Sequence, residues 1–465
     1  MHAPLRQSAI RGGAYVAGRQ ATSLVLALGG TIALTWLLGP SGYGRFAAAL
    51  ALVTYAGSVA QLGVNAWLVR RDGEEREDVY ATVRSLLVGS AVVVALVGAM
   101  VVPLVERWLG GAGVRALLLA MLAGLPVQLA LLVPLASLER ALRFRDVALT
   151  EMLGQVVLYV VSIGLAAAQL GPWAMVAGWW AQHLVVLWRV QAISGQRVRF
   201  GFDARIAREA LAYGVTYAST IWTWQIKDLV NPLIVGRWGG VEGVAQVALT
   251  VRLVEAAAFA KQAAWRISLP ALSRLQNEPA RLAAAVRDGM RLQLLALGPI
   301  FLALVLVGPL VIPWVFGDRW LAVRPLLPFV AGGVLANATY NLHSSALYAR
   351  ARNGRVLLFH IVFVALFGGA AWTLVPLLGV TGVGFAEIVA LPAYAVIYWA
   401  FVLEMRTPAD PHPAPQWRER MLGGAFVIAV IGTAWAPWMA AVALVPFVVP
   451  SVRAGAVESL AQVRA

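Results

Sequence analysis

The chain is 465 residues long, 60% apolar and only 13% charged, with a mean hydropathy of +0.77. A soluble domain is about half apolar and about a quarter charged, and a chain this apolar cannot hide its surface in one water-soluble core; a soluble enzyme and a disordered chain are both excluded. The net charge is +15, with Arg making up 35 of the 37 basic residues, and the absence of Cys removes disulfides, thiolate metal sites and Cys nucleophiles.

About 20 apolar residues in a helix cross a hydrocarbon layer about 30 Å thick. Such runs occur at about 18–38, 46–68, 85–105, 116–137, 147–169, 172–190, 212–235, 243–265, 292–316, 325–348, 356–377, 381–403, 421–436 and 437–452. The expectation is therefore an all-α polytopic membrane protein with about 14 transmembrane helices. The first run has no small-residue cleavage site behind it and leads through Gly39-Pro40-Ser41-Gly42 into the second, which predicts a retained helix rather than a secretory signal. No soluble domain interrupts the series, and the longest polar connections are 69–84, 191–211, 266–291 and 405–420.

Basic residues mark the cytoplasmic ends of spans. With the N-terminus inside, the inner segments hold 28 of them and the outer loops six: Arg45, Arg107, Arg115, Arg237, Arg319 and Arg324. Three more, Lys227, Arg252 and Lys261, fall within spans. The orientation expected is multi-pass in the bacterial cytoplasmic membrane, with both termini cytoplasmic. The basic excess then reflects topology and attraction to the inner leaflet. Nucleic acid is not an expected partner, because no basic patch stands apart from membrane ends.

An internal repeat is visible. Leu38-Gly39-Pro40-Ser41-Gly42-Tyr43 after span one matches Trp238-Gly239-Gly240-Val241-Glu242-Gly243 after span seven. Leu138-Glu139-Arg140-Ala141-Leu142-Arg143 after span four matches Leu347-Tyr348-Ala349-Arg350-Ala351-Arg352 after span ten. Spans six and twelve each follow a glycine turn, Gly171-Pro172 and Gly379-Val380. The order and near-constant offset predict two six-helix lobes in the same orientation, with a C-terminal helix pair. The lobes are 1–210 and 211–404, and 405–465 holds a cytoplasmic linker and the last pair.

Several segments carry a family resemblance. Gly39-Pro40-Ser41-Gly42-Tyr43-Gly44 and Gln61-Leu62-Gly63 ahead of Leu68-Val69-Arg70 resemble turns of the polysaccharide-exporting flippases. These belong to the multidrug/oligosaccharidyl-lipid/polysaccharide (MOP) superfamily. Leu138 to Arg145 is similar to the basic linker of the O-antigen and exopolysaccharide exporters, notably the colanic-acid exporter type. Ser268-Leu269-Pro270-Ala271-Leu272-Ser273-Arg274-Leu275-Gln276 and Phe316-Gly317-Asp318-Arg319-Trp320 are similar to further segments of that group. The resemblance implies a flippase of two lobes around a central cavity that moves undecaprenyl-diphosphate-linked oligosaccharide to the outer leaflet. Membrane lipids, a polysaccharide polymerase and glycosyltransferases are the partners it implies. One departure is Lys227-Asp228-Leu229-Val230-Asn231-Pro232 in span seven, where many relatives carry an Asn-x-Asp type segment.

Polar residues inside spans are costly and should face a cavity or each other. Steps of three and four keep residues on one helix face. Span seven carries Tyr213, Tyr217, Thr220, Trp224, Lys227 and Asn231 in such a stripe, and span eight carries Arg252, Glu255, Phe259, Gln262 and Arg266. Span two adds Thr54, Ser58, Gln61 and Asn65. Span ten adds Asn337, Asn341, Ser344 and Tyr348, and span one Tyr15, Arg19 and Thr22 towards its inner end. Neutral polar residues of this kind also hydrogen-bond between packed transmembrane helices, so the stripes on spans two and ten fit either role.

The candidate substrate-binding residues are thus Lys227, Arg252, Arg19, Arg45, Trp224, Tyr217, Asn231, Gln61, Asn65, Gln262, Asn337 and Asn341. Lys and Arg suit a diphosphate through charge-assisted hydrogen bonds, and aromatic faces and neutral amides suit sugars. Arg19 and Arg45 would mark entry and release, or be ordinary flanking residues. Asp228 and Glu255 are expected charge partners for Lys227 and Arg252, and Glu151 and Glu387 are candidates for ion coupling. No His/Asp/Glu cluster has metal-ligand spacing, and no cofactor or catalytic residue is expected. Two other function classes fit the composition. A cation-coupled multidrug antiporter would favour an anionic interior. An integral-membrane glycosyltransferase or polymerase would need clustered acids or a large outer loop, and neither is present.

Overall fold

The computed structural model describes residues 3–70, 77–141, 143–196, 198–259, 272–406 and 417–464, with the side chains of 3–21, 70 and 458–464 outside the description. Every regular element among the described residues is helical, as the backbone demands where no water is present to satisfy it. The chain is a multi-pass membrane protein. Its helices leave large apolar side chains uncovered by protein: Met100 is 76% exposed, Leu310 68% and Leu377 78%. In a soluble protein such surface would be buried; here it faces lipid.

Seven helices among the described residues are long and apolar enough to cross a membrane, and an eighth span results if the pair Pro437–Val448 and Pro450–Val457, bent by 91°, is taken together. The described residues of the other expected runs are helical too, but shorter, broken or more polar; 260–265, the end of the eighth run, lies outside the described residues. The chain divides into two compact units, Met1–Trp222 and Thr223–Ala465. The sequence reading puts a boundary at 210/211; the division by contacts falls inside a helix, and 405–465 belongs with the second unit.

The first unit contains α1 (Ala3–Gln61), α2 (Val64–Arg70), α3 (Glu77–Trp108), α4 (Arg115–Leu122), α5 (Leu125–Ala130) and α6 (Leu132–Arg140). It continues with α7 (Phe144–Ala167), α8 (Trp173–Ser194) and most of α9 (Ala204–Gln225). α1 contains the first two expected spans and is broken at Gly39, whose φ of 63° and ψ of 179° are non-helical. Pro40 follows, unable to donate to the preceding turn. α7 and α8 pack together, and Leu131, Leu138, Val147 and Val190 form a buried cluster there.

In the second unit, α9 ends and a 3-10 turn (Ile226–Leu229), a π turn (Val230–Val235), α10 (Gly236–Trp238) and α11 (Gly240–Ala257) follow. Then come α12 (Pro279–Phe316), α13 (Val323–Ala349), α14 (Asn353–Leu378), α15 (Thr381–Ala390), α16 (Ala393–Met405) and α17 (Trp417–Gly432). A 3-10 segment (Pro437–Val448) and α18 (Pro450–Arg464) close the chain. α13 is the hub: it packs against α11, α12, α14, α15, α16 and α17, and most of its residues are buried. A helix surrounded by helices tolerates polar residues that a lipid-facing helix cannot, and α13 accordingly buries Asn341, His343 and Ser344. At its basic end Glu404, 5% exposed, accepts from Arg350 Nε and Arg352 Nε at 3.0 Å and from Arg355 Nη1 at 2.8 Å.

Left-handed glycines stand at several of the expected turns: Gly39 and Gly171 in the first unit, with φ of 63° and 57°, and Gly240 and Gly379 in the second, with φ of 65° and 63°. Gly239, which the sequence repeat sets opposite Gly39, has φ of −100° and is not left-handed.

Candidate functional site

The site in the second unit begins at a broken helix. Pro232 has no N–H to donate to the Asp228 carbonyl four residues back, so the α-helical ladder cannot pass through it. The Val230 N–H instead reaches the Lys227 carbonyl, three residues back, and the Gly236 N–H reaches Asn231, five residues back. The stripe read from span seven is therefore interrupted in its winding between Gln225 and Gly236. Asn231 fastens the break to α11, its Nδ2 donating to the Val244 carbonyl at 3.2 Å.

Lys227 projects from this break. Its Nζ lies 2.6 Å from Asp228 Oδ1 and 5.2 Å from the centroid of the Trp224 ring. Its charge also interacts with Glu387 and Glu255. Lys227 is thus one half of an ion pair with Asp228. Glu387 is held by close packing on α13, where a Cβ built on Gly333 would fall 2.9 Å from its carboxyl carbon. Arg252 stands exposed on α11, one turn before the exposed Glu255.

Trp224 rests on α14, with its ring centroid 4.9 Å from His360, 5.1 Å from Phe363 and 6.0 Å from Phe359. The aromatic surface continues from Phe359 to Tyr394 at 5.3 Å and from Tyr394 to Tyr340 at 5.3 Å, the last pair stacked. It ends at Arg420, which hydrogen-bonds Tyr340 and lies 4.3 Å above the Tyr398 ring. Asn337 hydrogen-bonds the Tyr394 side chain. Asn341 is 5% exposed and sits inside the α13 packing. For Asn341 the geometry corrects the expectation of an open binding face: helices cover it on all sides.

The first unit places its candidates around a different break. Leu62 and Gly63, with φ of 50° and 66°, separate Gln61 at the end of α1 from Asn65 on α2, and both polar residues are half-buried. Gly214 of α9 meets this turn backbone to backbone; a Cβ on Gly214 would lie 2.9 Å from the Gly63 carbonyl carbon. Trp222 Nε1 donates to the Ser58 carbonyl at 2.9 Å. Tyr217 stacks on Tyr213 with centroids 6.2 Å apart and remains 40% exposed. Arg45 is half-buried beside the turn at Gly113, and Glu151 is exposed on α7. The side chain of Arg19, and Gln262 with its neighbours Lys261 and Arg266, lie outside the described residues.

Sequence reasoning missed His360, Phe359, Phe363 and Arg420. None lies on a polar stripe, and Arg420 reads as an ordinary basic flank. Among the described residues no group of His, Asp and Glu is arranged to hold a metal ion.

Comparison with known proteins gives the fold and family. The lipid II flippase MurJ in an inward closed conformation superposes with a TM-score of 0.68 at 13% identity, over 93% of this chain and 96% of that one. An inward-facing MATE multidrug resistance transporter of the MOP superfamily superposes at 0.56 and 17% identity, over 83% and 93%. The succinoglycan biosynthesis transport protein ExoT of Rhizobium meliloti (strain 1021) is 23% identical over 304 residues. That match takes in 64% of this chain and spans 60% of the relative's length. The model of a polysaccharide biosynthesis protein family matches residues 33–325. With the fold of the MOP-superfamily transporters and this match over more than half its length, the chain belongs to that polysaccharide biosynthesis family.

Proposed function

We propose that the protein is a flippase for undecaprenyl-diphosphate-linked oligosaccharide repeat units. It would carry them across the bacterial cytoplasmic membrane by alternating access, for O-antigen or exopolysaccharide assembly. Family membership supports a polysaccharide pathway, and the relatives that match are named as transporters and flippases rather than enzymes. The observation that carries the site assignment is Lys227, paired with Asp228 on a broken helix beside the Trp224 ring. A diphosphate arriving there exchanges Asp228 for a stronger anion, and the displaced carboxylates Asp228, Glu255 and Glu387 become available to a proton or cation. Trp224 and Asn231 in the second unit, and separately Tyr217, Gln61 and Asn65 in the first, offer aromatic and amide groups of the kind that suit sugars. Glycosyltransferases would supply the cargo on the cytoplasmic side, where both termini lie, and a polymerase would receive it outside.

The cation-coupled drug antiporter is not favoured, because the matching family model is one of polysaccharide biosynthesis. The test is deletion of the gene in its own cell and complementation with wild type, Lys227→Ala or Arg252→Ala. The expected outcome is accumulation of lipid-linked oligosaccharide in the deletion and in both variants, with normal membrane insertion. Normal surface polysaccharide in both variants would overturn the site assignment.

A further inference from the structure

The first turns of α3 hold segment 198–203 in place. Thr82 Oγ1 accepts the Asp203 N–H at 3.2 Å and Ser85 Oγ the Gly201 N–H at 3.2 Å. Arg84 Nη1 donates to the Arg199 carbonyl at 3.0 Å, and the Arg199 guanidinium pairs with Glu77 at 2.8 Å. Pinned in this way, the segment turns its apolar side chains outwards: Val198 is 58% exposed, Phe200 62% and Phe202 70%, with Trp188 of α8 at 69%. In water such a patch would be a liability, whereas aromatic rings favour the headgroup level of a bilayer.

A cavity of about 530 Å³ opens under this segment, walled by Leu184, Leu187, Trp188 and Phe200, with Gln191 as its one neutral amide. Arg84 also lines it and is 3% exposed. Among the described residues the lining has a cation and no carboxylate. An apolar wall with one buried positive charge matches a ligand with an anionic head and a hydrocarbon tail. A sugar-bearing cargo fits it poorly, since the walls offer no series of polar groups. We propose that this cavity binds one anionic glycerophospholipid, its phosphate on Arg84 and an acyl chain along Leu184, Leu187 and Phe200. The lipid would hold α3, α8 and segment 198–203 together at the membrane surface.

The test is native mass spectrometry of the full-length protein in detergent, with dioleoylphosphatidylglycerol, dioleoylphosphatidylcholine or undecaprenyl diphosphate added. Wild type should retain one phosphatidylglycerol about tenfold more tightly than phosphatidylcholine, the effect of one charge-assisted contact. Ala192→Trp, which fills the cavity from an exposed position and leaves Arg84 in place, should abolish that adduct. Arg84→Gln should remove the preference for the anionic lipid, and if it does not fold, Ala192→Trp decides. Equal retention of the two phospholipids would overturn the proposal, as would an unchanged adduct in folded Ala192→Trp. Displacement by undecaprenyl diphosphate would also overturn it, by giving the cavity to the cargo. The function proposed from Lys227 stands or falls separately, on glycan export.

Discussion

Lys227 Nζ lies 2.6 Å from Asp228 Oδ1, and the two residues are chain neighbours on a turn that is not α-helical. On a regular helix consecutive side chains diverge by about 100° and do not face each other. The irregular winding lets them meet. If the pair is only structural, exchanging the charges in the double variant Lys227→Asp with Asp228→Lys should restore function. If Lys227 meets the cargo, the exchange should fail and Asp228→Asn alone should retain part of the export. We expect the second outcome, with Lys227→Ala lowering export about tenfold or more, the scale of a lost charge-assisted hydrogen bond. Quantifying surface polysaccharide and lipid-linked intermediates in the four strains separates the cases.

Trp224 carries Lys227 on its face and leans on His360 and Phe363. Trp224→Phe keeps a flat apolar surface and should retain most export. Trp224→Ala removes both the shelf and a cation–π contact of about 0.5–1 kcal/mol, and should lower export without changing the amount of protein in the membrane. Immunoblots of membranes beside the polysaccharide assay check both arms.

Gly214 and Gly63 touch through their backbones. Gly214→Val would drive α9 away from the 62–64 turn. At Gly63, φ of 66° adds a left-handed strain of about 1–2 kcal/mol for any L side chain. Both Gly214→Val and Gly63→Ala should lower the unfolding midpoint of the purified protein. Gly424→Ala, at a glycine whose added Cβ would meet nothing within 4 Å, should leave it unchanged. Thermal unfolding in detergent followed by Trp fluorescence measures the difference.

Glu404 is the countercharge for three arginines and is itself buried. Glu404→Gln leaves a cluster of positive charge and should cost about 3–5 kcal/mol, as when one partner of a buried pair is removed. Arg352→Ala should cost less than about 1 kcal/mol, because that side chain is 54% exposed and its pair is screened by solvent. The ratio of the two losses in the same unfolding assay is the check.

The membrane class and turns such as those at Gly39 and Gly379 are legible in the sequence, because hydropathy and glycine between apolar runs leave local signatures. Lys227, Asp228 and Asn231 are legible as polar groups in an apolar run. Their conformation is not, since a stripe drawn at α-helical spacing assumes the winding that Pro232 removes. The amides of α13 show the limit of a pattern: Asn337 and Asn341 mark the same face as a cavity stripe would, yet Asn341 is covered by neighbouring helices. His360 and Arg420 could not have been found from spacing, because their meaning comes from the rings of Trp224, Tyr340 and Tyr398 brought to them by other helices.

The paired 3-10 and π turns have a mechanical consequence. The tightened turn advances the azimuth of the chain and the widened turn retards it, so the two errors oppose each other. α9 before the break and α10 after it can stay in phase while the residues between them are wound differently. A small exchange of winding between the two turns would swivel Lys227 about the helix axis with both ends of the helix held still.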